Sequence, residues 1–133
     1  MEKGVPILRR ALDVIDYLQP DVFFIENPRT GRMKEFLVDM PFYDVDYCRY
    51  GFDYRKATRI WTNLKGFEPK VCDKNCGAFV NGRHILRASG GNKAHRGQGG
   101  GASRNSRYKI PEALVRGLLA KRSGTLNLES LEL

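Results

Sequence analysis

The pattern of apolar and polar positions predicts a helix followed by a buried strand near the start of the chain. Leucine, isoleucine and alanine recur at helical spacing over residues 7–19, and Pro20 ends this helix. Residues 22–25 are continuously apolar, which is typical of a strand covered on both faces, as in a parallel sheet. Glu26 and Asn27 follow at once. This order indicates an α/β open sheet, in which ligands bind just beyond the strand ends.

Less regular patterns fill the middle of the chain. We predict a short helix over residues 32–40 and half-buried strands over residues 43–47 and 58–62, where apolar and polar residues alternate. Residues 66–105 show no sustained periodicity, and six glycines between residues 89 and 106 indicate a flexible loop.

A second amphipathic helix is predicted near the end of the chain. It opens at Ile110-Pro111, because proline suits the first helical position. Its apolar stripe consists of Leu114, Val115, Leu118 and Leu119. The residues after Ser123 are rich in leucine and glutamate, and they are compatible with either a last strand or a loose end.

The predicted sheet is too small for its most apolar strand. A strand such as residues 22–25 needs neighbours on both edges, yet the chain offers two or three other strands at most. A sheet of that size would leave apolar surface exposed. We therefore expect that another protein chain supplies the remaining strands, or that the chain was cut from something larger.

Positive charge is concentrated in one part of the chain. The 133 residues suit one domain, and the formal net charge is +8. Residues 74–111 contain no acidic residue and eight basic ones, so this span accounts for the whole excess. Such a local concentration indicates phosphate contact, and a solvated loop that is basic for solubility is the alternative. The candidate phosphate-binding residues are Arg83, Arg87, Lys93, Arg96, Arg104 and Arg107.

The expected location of the protein is inside the cell, in cytoplasm or nucleus. No apolar run is long enough to cross a bilayer, so no membrane association is expected. The charged start of the chain does not resemble a secretory signal. Three cysteines, an odd number, argue against a disulfide framework and fit a reducing compartment.

The cysteines also form a candidate metal site. Cys72 and Cys76 are separated by three residues, and His84 follows after seven more. With Cys48 upstream they supply enough soft ligands for tetrahedral zinc, and a metal would help a region with little periodicity to fold. Three free thiols in a reducing compartment are the alternative.

Three motifs in order resemble DNA cytosine-5 methyltransferases. Residues 24–28, Phe-Ile-Glu-Asn-Pro, resemble the Glu-Asn-Val motif of that family. Residues 54–61 resemble its Gln-x-Arg-x-Arg strand, and the surrounding residues 45–63 particularly resemble phage-type members. Residues 108–115 look like the closing motif, whose proline-led helix packs against the cofactor half. The matches span residues 7–121.

The resemblance implies a base-flipping transfer of a methyl group from S-adenosylmethionine to C5 of cytosine in DNA. Glu26 matches the glutamate that binds the N3 and N4 edge of cytosine and stabilises developing charge. Arg59 matches the arginine that orients carboxylate and base, so both side chains are expected in one pocket; the preceding arginine of the motif falls on Ala57. Candidate substrate-binding residues are Asn27, Arg55 and Lys56. Alternatively, Glu26 and Asn27 cap the turn that follows.

Two parts of that family are absent from this sequence. The glycine-rich cofactor loop and the Pro-Cys nucleophile motif belong near the start of the fold, and all three cysteines come after Glu26. Without a thiolate there is no covalent activation of the base, so the chain alone is not expected to methylate DNA. The resemblance thus implies the C-terminal half of an enzyme whose N-terminal half binds most of the S-adenosylmethionine.

The implied fold is a partial Rossmann-like (class I methyltransferase) sheet in three segments. Residues 1–65 form the C-terminal part of the catalytic sheet, residues 66–107 a basic insertion with the candidate zinc site, and residues 108–133 the closing helix and tail. The alternative function is a remnant of the methyltransferase fold that serves as a nucleic-acid-binding or scaffold protein, with RNA as well as DNA open as its ligand. A small zinc-binding adaptor ranks below both.

Overall fold

The computed structural model describes residues 4–87, 105 and 108–131, with the backbone alone for residues 86–87 and 123–131. The elements, in chain order, are α1 (Gly4–Leu18), β1 (Phe24–Pro28), a first 3₁₀ helix (Arg32–Glu35), β2 (Phe42–Asp46), a second 3₁₀ helix (Tyr47–Tyr50), β3 (Tyr54–Arg55), β4 (Ala57–Thr62), β5 (Phe79–Val80), β6 (Arg83–His84), β7 (Leu86–Arg87) and α2 (Glu112–Leu131). The fold thus mixes helices with small sheets.

The main sheet has three strands in the order β1-β4-β2. Strand β4 is antiparallel to both of its neighbours, so β1 and β2 run in the same direction. The predicted parallel pairing is therefore wrong for this sheet. The physical reason is connection length: β2 and β4 are joined by a short segment, whereas adjacent parallel strands need a long crossover. Within the described residues, no strand pairs with the outer edge of β1.

The strand register decides which side chains share a face. Glu26 pairs with Ile60, whereas Asn27 pairs with Arg59. Asp44 also pairs with Arg59, on the other side of β4. Side chains alternate along a strand, and directly paired residues point the same way. Glu26 and Ile60 therefore lie on one face, and Arg59 lies on the opposite face together with Asn27 and Asp44.

Helix α2 covers the face that carries Glu26, which we call the α2 face. Leu114 and Leu118 are buried there, while Val115 and Leu119 are exposed, so half of the predicted apolar stripe faces the core. The helix begins at Glu112, and the carbonyl of Pro111 accepts a hydrogen bond from the Leu114 N–H at 3.1 Å. The core on this face contains Val45, Tyr47, Tyr50, Ile60, Leu64, Leu114 and Leu118.

Helix α1 covers the opposite face, which we call the α1 face. Trp61 is 1% exposed and packs there with Leu8 of the helix and with Leu37. Other apolar side chains of α1 stay exposed, including Ile7 and Tyr17. No described helix is both long and apolar enough to span a membrane.

Three predicted elements differ from the observed ones. The helix expected over residues 32–40 is reduced to the 3₁₀ helix Arg32–Glu35, because Leu37 and Met40 instead pack toward Trp61. Strand β1 begins at Phe24 and runs to Pro28, so Glu26 lies inside the strand and not beyond it. Pairing with β4 extends the strand past the apolar run. Residues 124–131 continue α2, so this part of the tail is neither a strand nor a loose end.

Residues 66–87, which we call the cysteine segment, contain only short pairings. Strands β5 and β6 form an antiparallel hairpin, and β7 pairs in parallel with β3. The hairpin turn is Asn81-Gly82, with φ of 52° and 79°. Positive φ at both positions suits a tight hairpin turn, for which Asn-Gly is the preferred sequence. The turn brings β6, and with it His84, back alongside β5.

Candidate functional site

The Glu26 carboxylate lies in a small polar cluster on the α2 face. Its Oε1 accepts a hydrogen bond from the Tyr47 hydroxyl at 2.9 Å. The Lys56 ammonium is 3.6 Å from the same oxygen and 5.3 Å from the centre of the Tyr47 ring. The Glu26 and Lys56 side chains are 26% and 17% exposed, so a ligand can still reach them. We call these three residues the carboxylate cluster.

Tyr47 is held rigidly in this cluster. It follows the last residue of β2 directly, is fully buried, and packs edge-on against Phe52 with ring centres 5.5 Å apart. Its N–H donates to the Lys56 carbonyl at 3.2 Å, which ties the backbones of two cluster members together. Burial raises the pKa of Tyr47, and the neighbouring Glu26 charge raises it further. The phenol therefore keeps its proton and acts as a donor to Glu26.

Arg59 lies elsewhere. Its guanidinium binds Asp44 through two hydrogen bonds of 2.8 and 2.9 Å and stands 3.8 Å above the centre of the Phe42 ring. These contacts are all on the α1 face. The expectation that Arg59 and Glu26 address one pocket is therefore wrong for this structure, because the register separates them by one residue. The cation beside Glu26 is Lys56.

The other two candidate substrate-binding residues also make structural contacts. The Arg55 Nε is 3.2 Å from Asp46 Oδ1 and does not reach Glu26. The Asn27 side chain packs against the turn after β1. A Cβ atom added to Gly31 in this turn would lie only 3.1 Å from the Asn27 Nδ2 atom. For Asn27 this position favours the turn-stabilising interpretation over base recognition.

Arg29 is a residue that the motifs did not single out. Its N–H donates to the Ala57 carbonyl at 2.9 Å, and Ala57 pairs on its other side with Asp46. The Arg29 guanidinium donates to Asp46 Oδ1 at 3.0 Å. It thus reaches across β4 at the position of Ala57, where the methyltransferase motif has an arginine. The small alanine side chain is compatible with that path.

The structure brings Cys48, Cys72, Cys76 and His84 together. One donor atom from each lies within 4.8 Å of the others. His84 Nε2 is 3.4 Å from Cys72 Sγ and 3.5 Å from Cys76 Sγ. All three cysteines are free thiols. This group, the Cys3His cluster, is the set of residues that the spacing in the sequence singled out, and its donors are compatible with zinc.

Local structure explains why these four residues meet. Cys48 lies in the second 3₁₀ helix, directly after β2. The buried Asp46 accepts a hydrogen bond from the Cys72 N–H at 2.7 Å, which places Cys72 next to that helix. The hairpin turn returns His84 to the same place, where its ring packs edge-on against Phe79 at 5.2 Å. The Asn-Gly signal in the sequence would have predicted this hairpin.

The pKa values of the cluster residues are shifted in different directions, and those of His84 and Cys76 shift toward the form that binds a metal. Burial lowers the pKa of His84, and the charge of Arg55 lowers it further, so the imidazole is neutral near pH 7. Burial raises the pKa of Cys48, and the neighbouring Cys72 and Cys76 raise it too. Burial also opposes ionisation of Cys76, but hydrogen bonds from the Ala78 backbone, Cys48 and Cys72 outweigh it and lower the pKa of this thiol overall.

Of the six candidate phosphate-binding residues, the structure describes two. Arg83 is an exposed residue of β6, and Arg87 belongs to β7, where the backbone alone is described. The remaining residues, Lys93, Arg96, Arg104 and Arg107, lie outside the described residues. Phosphate contact by this group stays a prediction.

The order of the three motifs and the proline-led helix α2 agree with the resemblance that the sequence indicated, whereas Glu26 lies inside β1 and not beyond its end. The chain is 43% identical over 126 residues to a protein of Frog virus 3 (isolate Goorha) named "Probable DNA (cytosine-5)-methyltransferase". The alignment covers 88% of this chain and 57% of that relative, so the chain spans little more than half of the relative's length. The resemblance to DNA cytosine-5 methyltransferases is thereby confirmed. No family model matches the chain, and no solved structure matches it.

Proposed function

We propose that this chain supplies the cytosine-recognition part of a DNA cytosine-5 methyltransferase. The observation that carries the proposal is the half-buried Glu26 carboxylate, oriented by Tyr47 and Lys56, in a chain with 43% identity to the Frog virus 3 protein. The reaction is transfer of a methyl group from S-adenosylmethionine to C5 of a cytosine that has been flipped out of the duplex.

Within this function, Glu26 binds the N3 and N4 edge of the extruded cytosine. The carboxylate is preorganised because Tyr47 donates to one of its oxygens and Lys56 lies 3.6 Å from the same atom. Fixed charges and donors of this kind stabilise charge that develops on the ring without reorganising during the reaction. Lys56 takes the place that the motif assigned to Arg59. Arg59 supports the sheet through Asp44 and acts on the site only indirectly.

The methyl donor and the nucleophile come from a companion polypeptide. S-adenosylmethionine supplies the methyl group and is held mainly by that companion, because the described residues include no glycine-rich cofactor loop. Among the described residues no strand pairs with the outer edge of β1, and this supports a protein partner that extends the sheet. Beside it, Ile7 and Val14 of α1 and Phe23 and Ile25 line a groove of about 570 Å³. An apolar groove next to an open strand edge suits further strands of one continuous sheet.

The three segments then divide the work. Residues 1–65 carry the carboxylate cluster, residues 66–107 contact DNA phosphates through their arginines and lysines, and residues 108–133 close the α2 face. Phosphate contacts position a protein on DNA without reading sequence. Of the two cofactors, S-adenosylmethionine belongs to methyl transfer, whereas zinc belongs to the Cys3His cluster and has a structural role. We infer a location inside the cell, in cytoplasm or nucleus, and a DNA substrate together with three cysteines outside any disulfide supports this inference.

The test is complementation of methyl transfer. The chain is mixed with an N-terminal methyltransferase segment that carries the cofactor loop and the Pro-Cys motif, and transfer from radiolabelled S-adenosylmethionine to DNA is measured. We expect activity from the mixture alone, and a loss of about 100-fold or more in Glu26→Gln, as for removal of one transition-state contact. The control is Glu35→Gln, which removes an exposed partner of Arg32. Equal activity of both variants would contradict the role of Glu26.

A second function is favoured by one specific observation. Arg59 is committed to Asp44 on the face opposite Glu26, and Ala57 carries no charge, so the arginine pair of the motif does not serve the carboxylate. This departure favours a non-catalytic remnant that binds nucleic acid through its basic segment. Binding of the chain to cytosine-containing and thymine-only oligonucleotides distinguishes the two. Salt-sensitive binding that ignores the base supports the remnant, and a cytosine preference that is lost in Glu26→Gln supports base recognition.

A further inference from the structure

The four donors of the Cys3His cluster all lie within 4.8 Å of one another, and the donors of Cys72 and Cys76 are spaced from that of His84 as ligands of one small ion. Zinc bound tetrahedrally by sulfur at about 2.3 Å and nitrogen at about 2.0 Å requires donors roughly 3.6 Å apart. The two distances from His84 Nε2, 3.4 Å to Cys72 Sγ and 3.5 Å to Cys76 Sγ, fit this spacing. Thiolate and imidazole donors favour zinc over magnesium and calcium, which prefer oxygen. No sulfur of the set is consumed in a disulfide.

We propose that Cys48, Cys72, Cys76 and His84 bind one Zn²⁺ in a closed structural centre, which the buried carboxylate of Asp46 positions on the end of strand β2. Four protein ligands complete the tetrahedron and leave no open position for water or substrate, so this centre stabilises structure and does not catalyse. The proposal does not depend on methyl transfer.

The cysteine segment needs such a centre because it has almost no apolar core. Its strands are two residues long, and Ala78 is the one buried hydrophobic residue among its described side chains. Val71, Val80 and Ile85 are all exposed. A segment that buries so little apolar surface cannot offset its loss of conformational entropy. Metal binding supplies folding free energy directly in regions of this kind.

Asp46 connects the centre to the sheet. It is fully buried at the end of β2, and its Oδ2 accepts the Cys72 N–H at 2.7 Å. Its own N–H donates to the Lys70 carbonyl at 3.0 Å, so one residue fixes the backbone on both sides of Val71. Cys48 follows two positions later. Asp46 thus positions both Cys48 and Cys72, although these two cysteines are far apart in the sequence.

Charge balance supports the same assignment. Asp46 Oδ1 is 3.0 Å from Arg29 and 3.2 Å from Arg55. A zinc ion with three thiolates carries a single net negative charge. The hydrogen bond from Arg55 to Asp46 and the charge of Asp46 raise the pKa of Arg55, and the charges of Cys72 and Cys48 raise it by a smaller amount. The two guanidiniums therefore neutralise both the buried carboxylate and the metal-thiolate group.

The metal content of the whole chain is the first measurement. Protein purified in reducing buffer without chelator is expected to contain one zinc per chain by elemental analysis. Cobalt substitution is expected to give the absorption of a tetrahedral thiolate site, and Cys72→Ser and His84→Ala each to lower zinc affinity by about 100-fold or more. The matched control is His95→Ala, which removes the other histidine. Metal-free wild-type protein that binds cobalt without that absorption overturns the site.

The positioning role of Asp46 has its own test. Asp46→Asn is expected to keep the cobalt spectrum but to lower zinc affinity about 10- to 100-fold, as for other groups that orient metal ligands. The control is Asp44→Asn, on the same strand and face, whose partner Arg59 is not connected to the cluster. Equal zinc affinity of the two variants overturns the role of Asp46. If Asp46→Asn does not fold, Arg55→Gln is measured: a several-fold loss supports the proposal, and unchanged affinity contradicts it.

Discussion

The three-stranded sheet and the cysteine segment are stabilised in different ways within one short chain. The sheet buries large side chains on both faces, with Trp61 under α1 and Ile60 under α2. The cysteine segment buries one alanine and is tied down by a hydrogen bond to Asp46, and three of its side chains meet Cys48 in the Cys3His cluster, whose donors are compatible with zinc. Hydrophobic burial is non-directional and holds the sheet as a unit, whereas metal coordination depends on a few atoms. The two regions should therefore fail under different treatments.

The largest expected effect is on the sheet. Trp61→Ala removes the largest fully buried side chain and should lower the free energy of unfolding by about 3–5 kcal/mol, since it loses burial and leaves a cavity. Urea unfolding followed by far-ultraviolet circular dichroism measures this. Tyr17→Ala is the control, because Tyr17 is 86% exposed and its loss should change stability by less than about 0.5 kcal/mol. If added zinc fully restored the free energy of unfolding of Trp61→Ala, the sheet and the cysteine segment would not be stabilised independently.

Metal removal should act on the cysteine segment first. With zinc at about 100 times its dissociation constant, binding contributes about 2.7 kcal/mol, equivalent to roughly 100-fold in exchange protection. A chelator is therefore expected to speed amide hydrogen exchange in residues 72–85 by about that factor, while β4 stays protected. Hydrogen exchange with mass spectrometry locates the change. Equal loss of protection in β4 would show that the sheet depends on the metal as well.

The free energy of unfolding at alkaline pH tests the junction between the two regions. Tyr47 lies at this junction, between Asp46 and Cys48 in the sequence. Burial, followed by the charge of Glu26, raises the pKa of Tyr47 in the folded state above the unfolded value of about 10. Stability is therefore complete below about pH 10 and falls as pH rises further, by up to about 1.4 kcal/mol per pH unit for one proton. Tyr47→Phe should flatten this fall, as measured by urea unfolding at several pH values. Tyr17→Phe is the exposed control.

The smallest expected effect separates the two faces of the sheet. Lys56→Gln should weaken a cytosine preference in DNA binding several-fold, because it removes the ammonium beside Glu26. Arg59→Gln should leave that preference unchanged and cost about 1 kcal/mol of stability or less through its pair with Asp44. Fluorescence anisotropy with matched oligonucleotides and urea unfolding provide both readouts. A loss of the cytosine preference in Arg59→Gln but not in Lys56→Gln would show that Arg59, and not Lys56, takes part in base recognition.

Several elements were predictable because their signals are local. Helical spacing over residues 7–19 predicted α1, and alternation predicted β2 and β4 to within a residue or so. The four members of the Cys3His cluster were chosen from spacing and donor chemistry, and the structure brings them together. The β5–β6 hairpin was missed although Asn81-Gly82 is a local signal. In contrast, Arg29 approaches Asp46 from another strand, so no local pattern indicated it.

The sequence by itself determined which residues are apolar, where α1 and α2 lie, which side chains can bind a metal, and which family the motifs resemble. Only the tertiary structure decided that Glu26 and Arg59 lie on opposite faces and that Lys56 and Tyr47 accompany the carboxylate. The physical reason is strand register. Side chains alternate with a period of two, so a shift of one residue in pairing moves every side chain to the other face. The order of motifs along a chain does not reveal which face of the sheet a side chain occupies, because the face is determined by the partner strand and by the helices that cover the sheet.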